Sequence, residues 1–158
     1  MTEEIYLAGG CLWGVQEFFR HISGILSTEA GRANGKSETL EEPYDDYAEC
    51  VKINFNSKKI SVSQLVLNLF EIIDPYAENK QGPDVGRCYR TGVYSKNTSH
   101  LREAEIFIRS RMDYKKIKIE ILYLHNYIKS NDIHQFRLAR NPNEFCHIPK
   151  HILHKYKT

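Results

Sequence analysis

Ile5-Tyr6-Leu7-Ala8-Gly9-Gly10-Cys11-Leu12-Trp13-Gly14-Val15-Gln16-Glu17-Phe18-Phe19 is the stretch on which the fold turns. Its first four residues form a short apolar run, read as a strand that ends in two glycines able to make a tight turn. From Leu12 the apolar residues recur at helical spacing, at Leu12, Val15, Phe18, Phe19 and Ile22, with Gly24 as a stop. Strand, glycine turn and helix follow one another, with Cys11 at the helix start. The free N–H groups there favour a thiolate. An exposed helix terminus supplies only about 0.3–1 kcal/mol, which is less than one pKa unit. A thiol titrating near pH ~8.5 would stay mostly protonated at neutral pH on that account alone, so the chemistry of Cys11 needs a second group.

Working outward, a second strand is expected around Ile25–Ala30, followed by a polar loop from Gly31 to Pro43. Next comes a strict alternation, with Tyr47, Glu49, Val51, Ile53 and Phe55 on one face and Ala48, Cys50, Lys52 and Asn54 on the other. Ser61 to Gln64 resembles a capping box that opens a helix over Leu65–Ile73, and Asp74-Pro75 ends it. A long loop over residues 76–88 precedes a strand at Arg90–Tyr94. Asn97 or Thr98 can cap a helix running to Met112, Ile117–Leu122 alternates as a strand, and Ile133–Arg140 is a weaker helix. Strands and helices alternate irregularly. The class is therefore α+β, with a two-layer α/β sandwich of helices packed on one mixed sheet as the simplest packing.

The chain's 158 residues fit one domain, residues 1–158, with a core that needs no staples. Its 41% apolar and 27% charged residues exclude both a membrane protein and a disordered chain. No run of 18 apolar residues occurs, and the acidic start Met1-Thr2-Glu3-Glu4 is unlike a signal peptide, so a cytoplasmic location is expected. Four cysteines in a reducing compartment point to free or catalytic thiols rather than a disulfide framework. Residues 1–50 carry ten acids and three bases, whereas residues 51–158 carry ten acids and nineteen bases. Those bases form no long run, so a solvated basic face is expected and nucleic acid is not.

Glu49 lies on the apolar face of its strand, where a lone carboxylate is costly unless protonated or paired. Burial would raise its pKa and make it an acid usable near neutral pH; a salt bridge at the strand end is the structural alternative. The polar loop from Asp74 to Arg90, with Asn79, Gln81, Asp84 and Tyr89, is of the kind that lines sites. Cys146 is followed by His147, His151 and His154, but there is no CxxC and no metal is expected. A C-terminal thiol on a tail able to reach another site is the more telling possibility.

Gly10-Cys11-Leu12-Trp13-Gly14 resembles the GCFWG signature of the A class of peptide methionine sulfoxide reductases. Ala48-Glu49 with Val51 resembles that family's HAEVV strand. Asp74-Pro75, Gln81-Gly82-Pro83-Asp84-Val85-Gly86 and Tyr89-Arg90-Thr91 resemble its DP…QGxDxGxxYRS stretch. Asn141-Pro142 through Cys146 resembles the NP…YC segment of its resolving cysteine, so four collinear motifs span residues 5–148. The resemblance implies a ferredoxin-like fold and reduction of methionine S-sulfoxide, free or in oxidised proteins. It implies that Cys11 attacks the sulfoxide sulfur and that Glu49 protonates its oxygen. Tyr89 and a second tyrosine would bind that oxygen, Asp84 would hold the substrate, and Trp13 with Leu12 would wall the methyl pocket. The Cys11 sulfenic acid would condense with Cys146 on a mobile tail, residues 141–158. Thioredoxin, or dithiothreitol in vitro, would reduce the disulfide, with no cofactor, no metal and a monomeric enzyme.

The sequence departs from the family pattern at several points. Leu12 replaces the usual Phe, Ile73 replaces a His, and no cysteine follows Cys146. The loop before Glu49 is short, and Tyr47 stands where His is usual, so the second tyrosine is either Tyr44 or Tyr47; loop position favours Tyr44. Cys50 is expected to be structural and Cys88 a filler or an alternative resolving thiol. A thiol peroxidase or a cysteine redox switch would use the same pair of thiols, and stays open as the competing function.

Overall fold

The computed structural model describes residues 1–41 and 43–158. The N-terminal strand β1 (Thr2–Gly9) turns at Gly10 into helix α1 (Leu12–Phe19), followed by β2 (Ile25–Ala33), β3 (Ala48–Asn56) and α2 (Val62–Phe70). A two-strand hairpin, β4 (Lys80–Gln81) and β5 (Asp84–Val85), leads through a 3-10 turn at Arg87–Tyr89 into β6 (Thr91–Ser95). Then come α3 (Thr98–Arg109), β7 (Glu120–Tyr123), β8 (Tyr127–Lys129), a 3-10 turn at Asp132–His134, and the single-turn helices α4 (Arg137–Arg140) and α5 (Lys150–Leu153). Six strands form one mixed sheet in the order β7-β6-β1-β3-β2-β8. Among the described residues only the β6–β7 pair is parallel. The fold is α+β, and among the described residues no helix is long and apolar enough to cross a membrane.

The alternation in β3 sorts its side chains between two cores. Val51, Ile53 and Phe55 join Ile5 and Leu7 of β1 under Val15, Phe18 and Phe19 of α1 and Leu65, Val66 and Leu69 of α2. Ala48 and Cys50 face the other way, into a smaller cluster with Tyr6, Ala8, Tyr94 and Leu124. Glu49 is thereby delivered to the helix-covered face, beside the end of β1 where α1 begins. Ser61 caps α2, its hydroxyl accepting from the Gln64 amide at 3.1 Å, as the capping box requires.

Three sequence expectations are corrected in detail. Helix α1 ends at Phe19 rather than near Gly24, because the Ile22 amide bonds back to the Phe19 carbonyl in a tight turn that Gly24, at φ +97°, completes. The helix expected over Ile133–Arg140 is broken at Phe136, which adopts a left-handed φ of 51° while its amide donates to Gln16 Oε1 at 2.8 Å. Strand β8 was not expected at all: three residues pair with the end of β2, and Gln135 extends that pairing with side-chain bonds to both the amide and the carbonyl of Ala30. The C-terminal segment packs on α1, burying Ile148 and Leu153 in the main core. Gly14 makes room for it, since a Cβ there would lie 2.8 Å from Ile148 Cδ1 and 2.9 Å from Cys146 Sγ.

Candidate active site

The turn between β1 and α1 fixes the first reactive group. Gly10, at φ +91°, lets the chain reverse, and Cys11 takes the N-cap position of α1 without using its sulfur as a cap. The Cys11 thiol opens into a cleft of about 350 Å³ that Leu12, Trp13, Glu49, Asp84, Tyr89, Cys146 and His147 also line. Burial pushes this thiol up to about 12, the nearby Glu49 carboxylate adds to the rise, and the Trp13 amide opposes it. The helix start thus loses to desolvation, and Cys11 rests as a thiol at neutral pH.

Glu49 is the second reactive group. The amide of Leu12, the residue after Cys11, donates to Glu49 Oε1 at 3.2 Å. No cation of the described residues lies within salt-bridge distance of it, so the strand-end ion pair is not formed. Burial raises its carboxyl to about 7; the Leu12 hydrogen bond opposes this, Asp84 adds to it, and Arg32 opposes it again. Glu49 can therefore carry a proton near neutral pH, hydrogen-bonded to the amide of the residue that follows Cys11.

The tyrosines divide. Tyr89 reaches the cleft from its 3-10 turn, with its phenol shifted upward by burial and by the charge of Glu49. Tyr47 lines the cleft as well, whereas Tyr44 stands half exposed outside it, its hydroxyl donating to the Tyr47 carbonyl at 3.0 Å. The shortened loop before β3 accounts for this, because Tyr47 directly precedes the strand that carries Glu49. Buried Arg90 holds that corner: its guanidinium donates to the carbonyls of Tyr47 (3.2 Å), Asp46 (2.9 Å) and Arg87 (2.9 Å) and pairs with Glu120 at 3.0 Å. Trp13 is held by its Nε1–H, which donates to His134 Nδ1 at 3.1 Å, and by the Arg137 guanidinium 5.1 Å from its ring centroid.

Cys146 lies in the same cleft as Cys11, against Gly14 at the next turn of α1. Burial shifts its thiol upward, opposed by the Ile148 amide. His147 Nδ1 is 3.6 Å from Asp84 Oδ2, too far for a hydrogen bond, and burial lowers the ring's pKa. Cys50 is fully buried in the second core, away from the cleft, and Cys88, in the 3-10 turn, does not line it.

Arg32, Ser130, His134 and His147 line the cleft without having been anticipated. A weak signal existed for Arg32 alone. It is a charged residue between Gly31 and Ala33, and its register partner across the sheet is Glu49. The others sit in the region where apolar periodicity fails. Among the described residues no three His, Cys, Asp or Glu side chains are placed to hold a metal ion.

The sequence from residue 3 to residue 157 matches the family described as peptide methionine sulfoxide reductase. A relative from Clostridium perfringens, named peptide methionine sulfoxide reductase MsrA, is 42% identical over 92% of this chain and 98% of its own. The structure of Mxr1 from Saccharomyces cerevisiae in reduced form superposes with a TM-score of 0.83, at 28% identity over 92% of this chain and 88% of that one. The same yeast protein in complex with Trx2 shares the fold at a TM-score of 0.62, with 24% identity over 83% of this chain and 82% of that one. With four motifs in order, both cysteines and the carboxyl group in one cleft, and these likenesses along almost its whole length, the chain belongs to the peptide methionine sulfoxide reductase family.

Proposed function

We propose that this chain reduces methionine S-sulfoxide, free or within oxidised proteins, to methionine. Cys11 attacks the sulfoxide sulfur while neutral Glu49 gives its proton to the sulfoxide oxygen, which otherwise leaves poorly. In the resulting adduct the substrate S–O bond breaks and the hydroxyl is taken up by the Cys11 sulfur. The transient bond between Cys11 and the substrate sulfur breaks as this happens, so methionine departs and Cys11 is left as a sulfenic acid. The hydrogen that began on the thiol is returned to Glu49, so the carboxyl acts as a shuttle and is not consumed. Tyr89 and Tyr47 donate to the oxygen; Tyr47 is the better candidate for the second tyrosine because it lines the cleft and Tyr44 does not. Trp13 and Leu12 receive the methyl group and Asp84 accepts a bond from the substrate. Cys146 then attacks the sulfenic sulfur, forming the Cys11–Cys146 disulfide and releasing water. Thioredoxin reduces that disulfide, an inference supported by the yeast relative solved with Trx2.

The observation that carries this function is Glu49, a carboxyl raised to about 7 and hydrogen-bonded to the amide next to Cys11. The order β6-β1-β3-β2 with α1 and α2 behind it supports a ferredoxin-like, two-layer reading of a single domain. In residues 141–158, Ile148 and Leu153 anchor the tail, so the movement that brings Cys146 to thioredoxin falls on 141–147. A monomeric, cytoplasmic enzyme suits a cycle that draws on a reducing partner.

The test is a sulfoxide assay with thioredoxin on three proteins. Wild type should turn over, Cys11→Ser should form no methionine, and Cys146→Ser should form one equivalent and then stop. Disulfide formation with peroxide but not with methionine sulfoxide would instead establish a peroxidase or a redox switch.

A further inference from the structure

Beyond the two thiols and the carboxyl group, one wall of the cleft carries hydrogen-bond donors that the chemistry leaves unused. Arg32 projects from β2 on the helix-covered face, opposite Glu49 in register. Its guanidinium lies 4.4 Å from the centroid of the Tyr47 ring, and its one hydrogen bond among the described residues is a long one, 3.4 Å, to the Leu40 carbonyl. Most of its five N–H groups therefore have no partner among the described residues. Ser130 directly follows β8, itself paired to β2, and its hydroxyl makes no bond among the described residues while its backbone is held by Ala30 and Gln135. His134 completes the wall. Because its Nδ1 accepts from Trp13 Nε1–H, the neutral ring carries its proton on Nε2, a donor with no partner among the described residues. Burial and the nearby Arg32 and Arg137 keep that ring neutral.

A guanidinium, a hydroxyl and an imidazole N–H on one cleft wall match the acceptors of a carboxylate. Arg137, the other cation nearby, is already neutralised by Glu144 at 2.5 Å, so Arg32 supplies the charge. We propose that Arg32, Ser130 and His134 form a carboxylate-binding subsite that selects substrates carrying an anion close to the sulfoxide. The α-carboxylate of free methionine sulfoxide, or of a C-terminal one, is such a group, and an acidic side chain following the oxidised residue is another. The subsite rests on the sulfoxide reductase function proposed above and specifies which sulfoxides that site prefers.

The experiment compares N-acetyl-methionine sulfoxide with its methyl ester, which keeps the shape and removes the charge. A parallel pair is a blocked peptide with Asp, or Asn, after the sulfoxide residue. In Arg32→Met the acid-to-ester ratio of kcat/KM should fall about tenfold, the loss of a charge-assisted contact, and should fall through KM. Arg32→Lys should retain part of the ratio, and Ser130→Ala should lower it about two- to threefold. A fall confined to the Asp-to-Asn ratio would identify the side chain of a neighbouring residue as the anion. Ratios unchanged within a factor of two in both pairs would overturn the subsite, whatever happens to absolute rates, because an effect exerted through Glu49 or Tyr47 would strike acid and ester alike. If wild type reduced neither acid nor ester, the proposed function itself would fall, a result distinct from equal turnover of both. Competition by N-acetyl-methionine against its methyl ester gives the same comparison without turnover, and equal inhibition by the two would also count against the subsite.

Discussion

Two glutamates lie on either side of helix α1 and meet opposite fates. Glu17, 3% exposed, is on the helix itself and takes Arg20 at 2.7 Å, His21 at 2.9 Å and His154 at 3.2 Å. Glu49, under the start of the same helix, has one backbone amide and, among the described residues, no cation in contact. Burial pushes both carboxyls up, but around Glu17 the hydrogen bonds and charges of Arg20 and His21 outweigh it and the pKa ends below the ordinary value. Around Glu49 nothing outweighs it, and the group reaches about 7. Desolvation alone therefore does not make a general acid. The site is made by withholding partners that the molecule supplies freely about one and a half turns along the helix.

The largest consequence is on catalysis. Glu49→Gln keeps the shape and removes the transferable proton, and should lower kcat by about 10²–10⁴-fold, as loss of a general acid does. Glu17→Gln should leave kcat within a few-fold of wild type, measured as methionine released in a single turnover. Comparable rates for Glu49→Gln and wild type would break the contrast.

Stability should respond with opposite signs. Folded Glu49 holds its proton up to pH ~7, whereas the unfolded chain releases it above 4.5, so folding stability falls as pH rises through that interval, by about 3 kcal/mol in all. Glu49→Gln should thus be more stable than wild type at pH ~8.5, with the gain disappearing by pH ~5. Glu17, with its folded pKa lowered, contributes stability that is present above the unfolded value of 4.5 and lost as pH falls through the folded one. Glu17→Gln should cost about 2–3 kcal/mol at neutral pH by removing the carboxylate that Arg20, His21 and His154 face. Urea unfolding of both variants across that pH range measures the two slopes.

The pH profile carries the same information in milder form. Since the neutral form of Glu49 is the working one, kcat/KM for sulfoxide should decline above pH ~7, approaching tenfold per pH unit. Cys11 enters the proposed step as a thiol and, pushed to about 12, rests protonated over that range. Glu49→Gln should be flat over that limb. A wild-type profile rising to pH ~9 would mean that thiolate formation, not proton donation, limits the step.

How much of this was legible depended on whether a residue's role is local. The strand, glycine turn and helix around Cys11, the two faces of β3 and the Ser61 cap follow from spacing within ten residues, and each is present in the fold. Glu49 was legible because a charge in an apolar alternation is a local anomaly. Loop position favoured Tyr44 as the second tyrosine, whereas Tyr47 is the one that lines the cleft, because that depends on where a shortened loop enters the strand. Ser130, His134 and the broken helix at Phe136 were out of reach for a related reason. That segment is ordered by Gln16, Trp13 and Ala30, more than a hundred residues away in the chain, so it needs no periodicity of its own.

The smallest expected effect lies where Glu17 is joined to the tail. His154 is the most exposed of the Glu17 partners, at 35%, and reaches it from the segment that follows Cys146 and α5. Its removal leaves Glu17 held by Arg20 and His21, so His154→Gln should cost only about 0.5–1 kcal/mol, the value of a partly exposed pair. Ile148 and Leu153 still bury their side chains in the main core and keep Cys146 beside Gly14. Disulfide formation after one turnover should accordingly proceed within twofold of the wild-type rate. If His154→Gln slowed that step as much as Glu49→Gln slows the first, the Glu17 cluster would belong to the reaction rather than to the scaffold, and the two sides of α1 would no longer be different in kind.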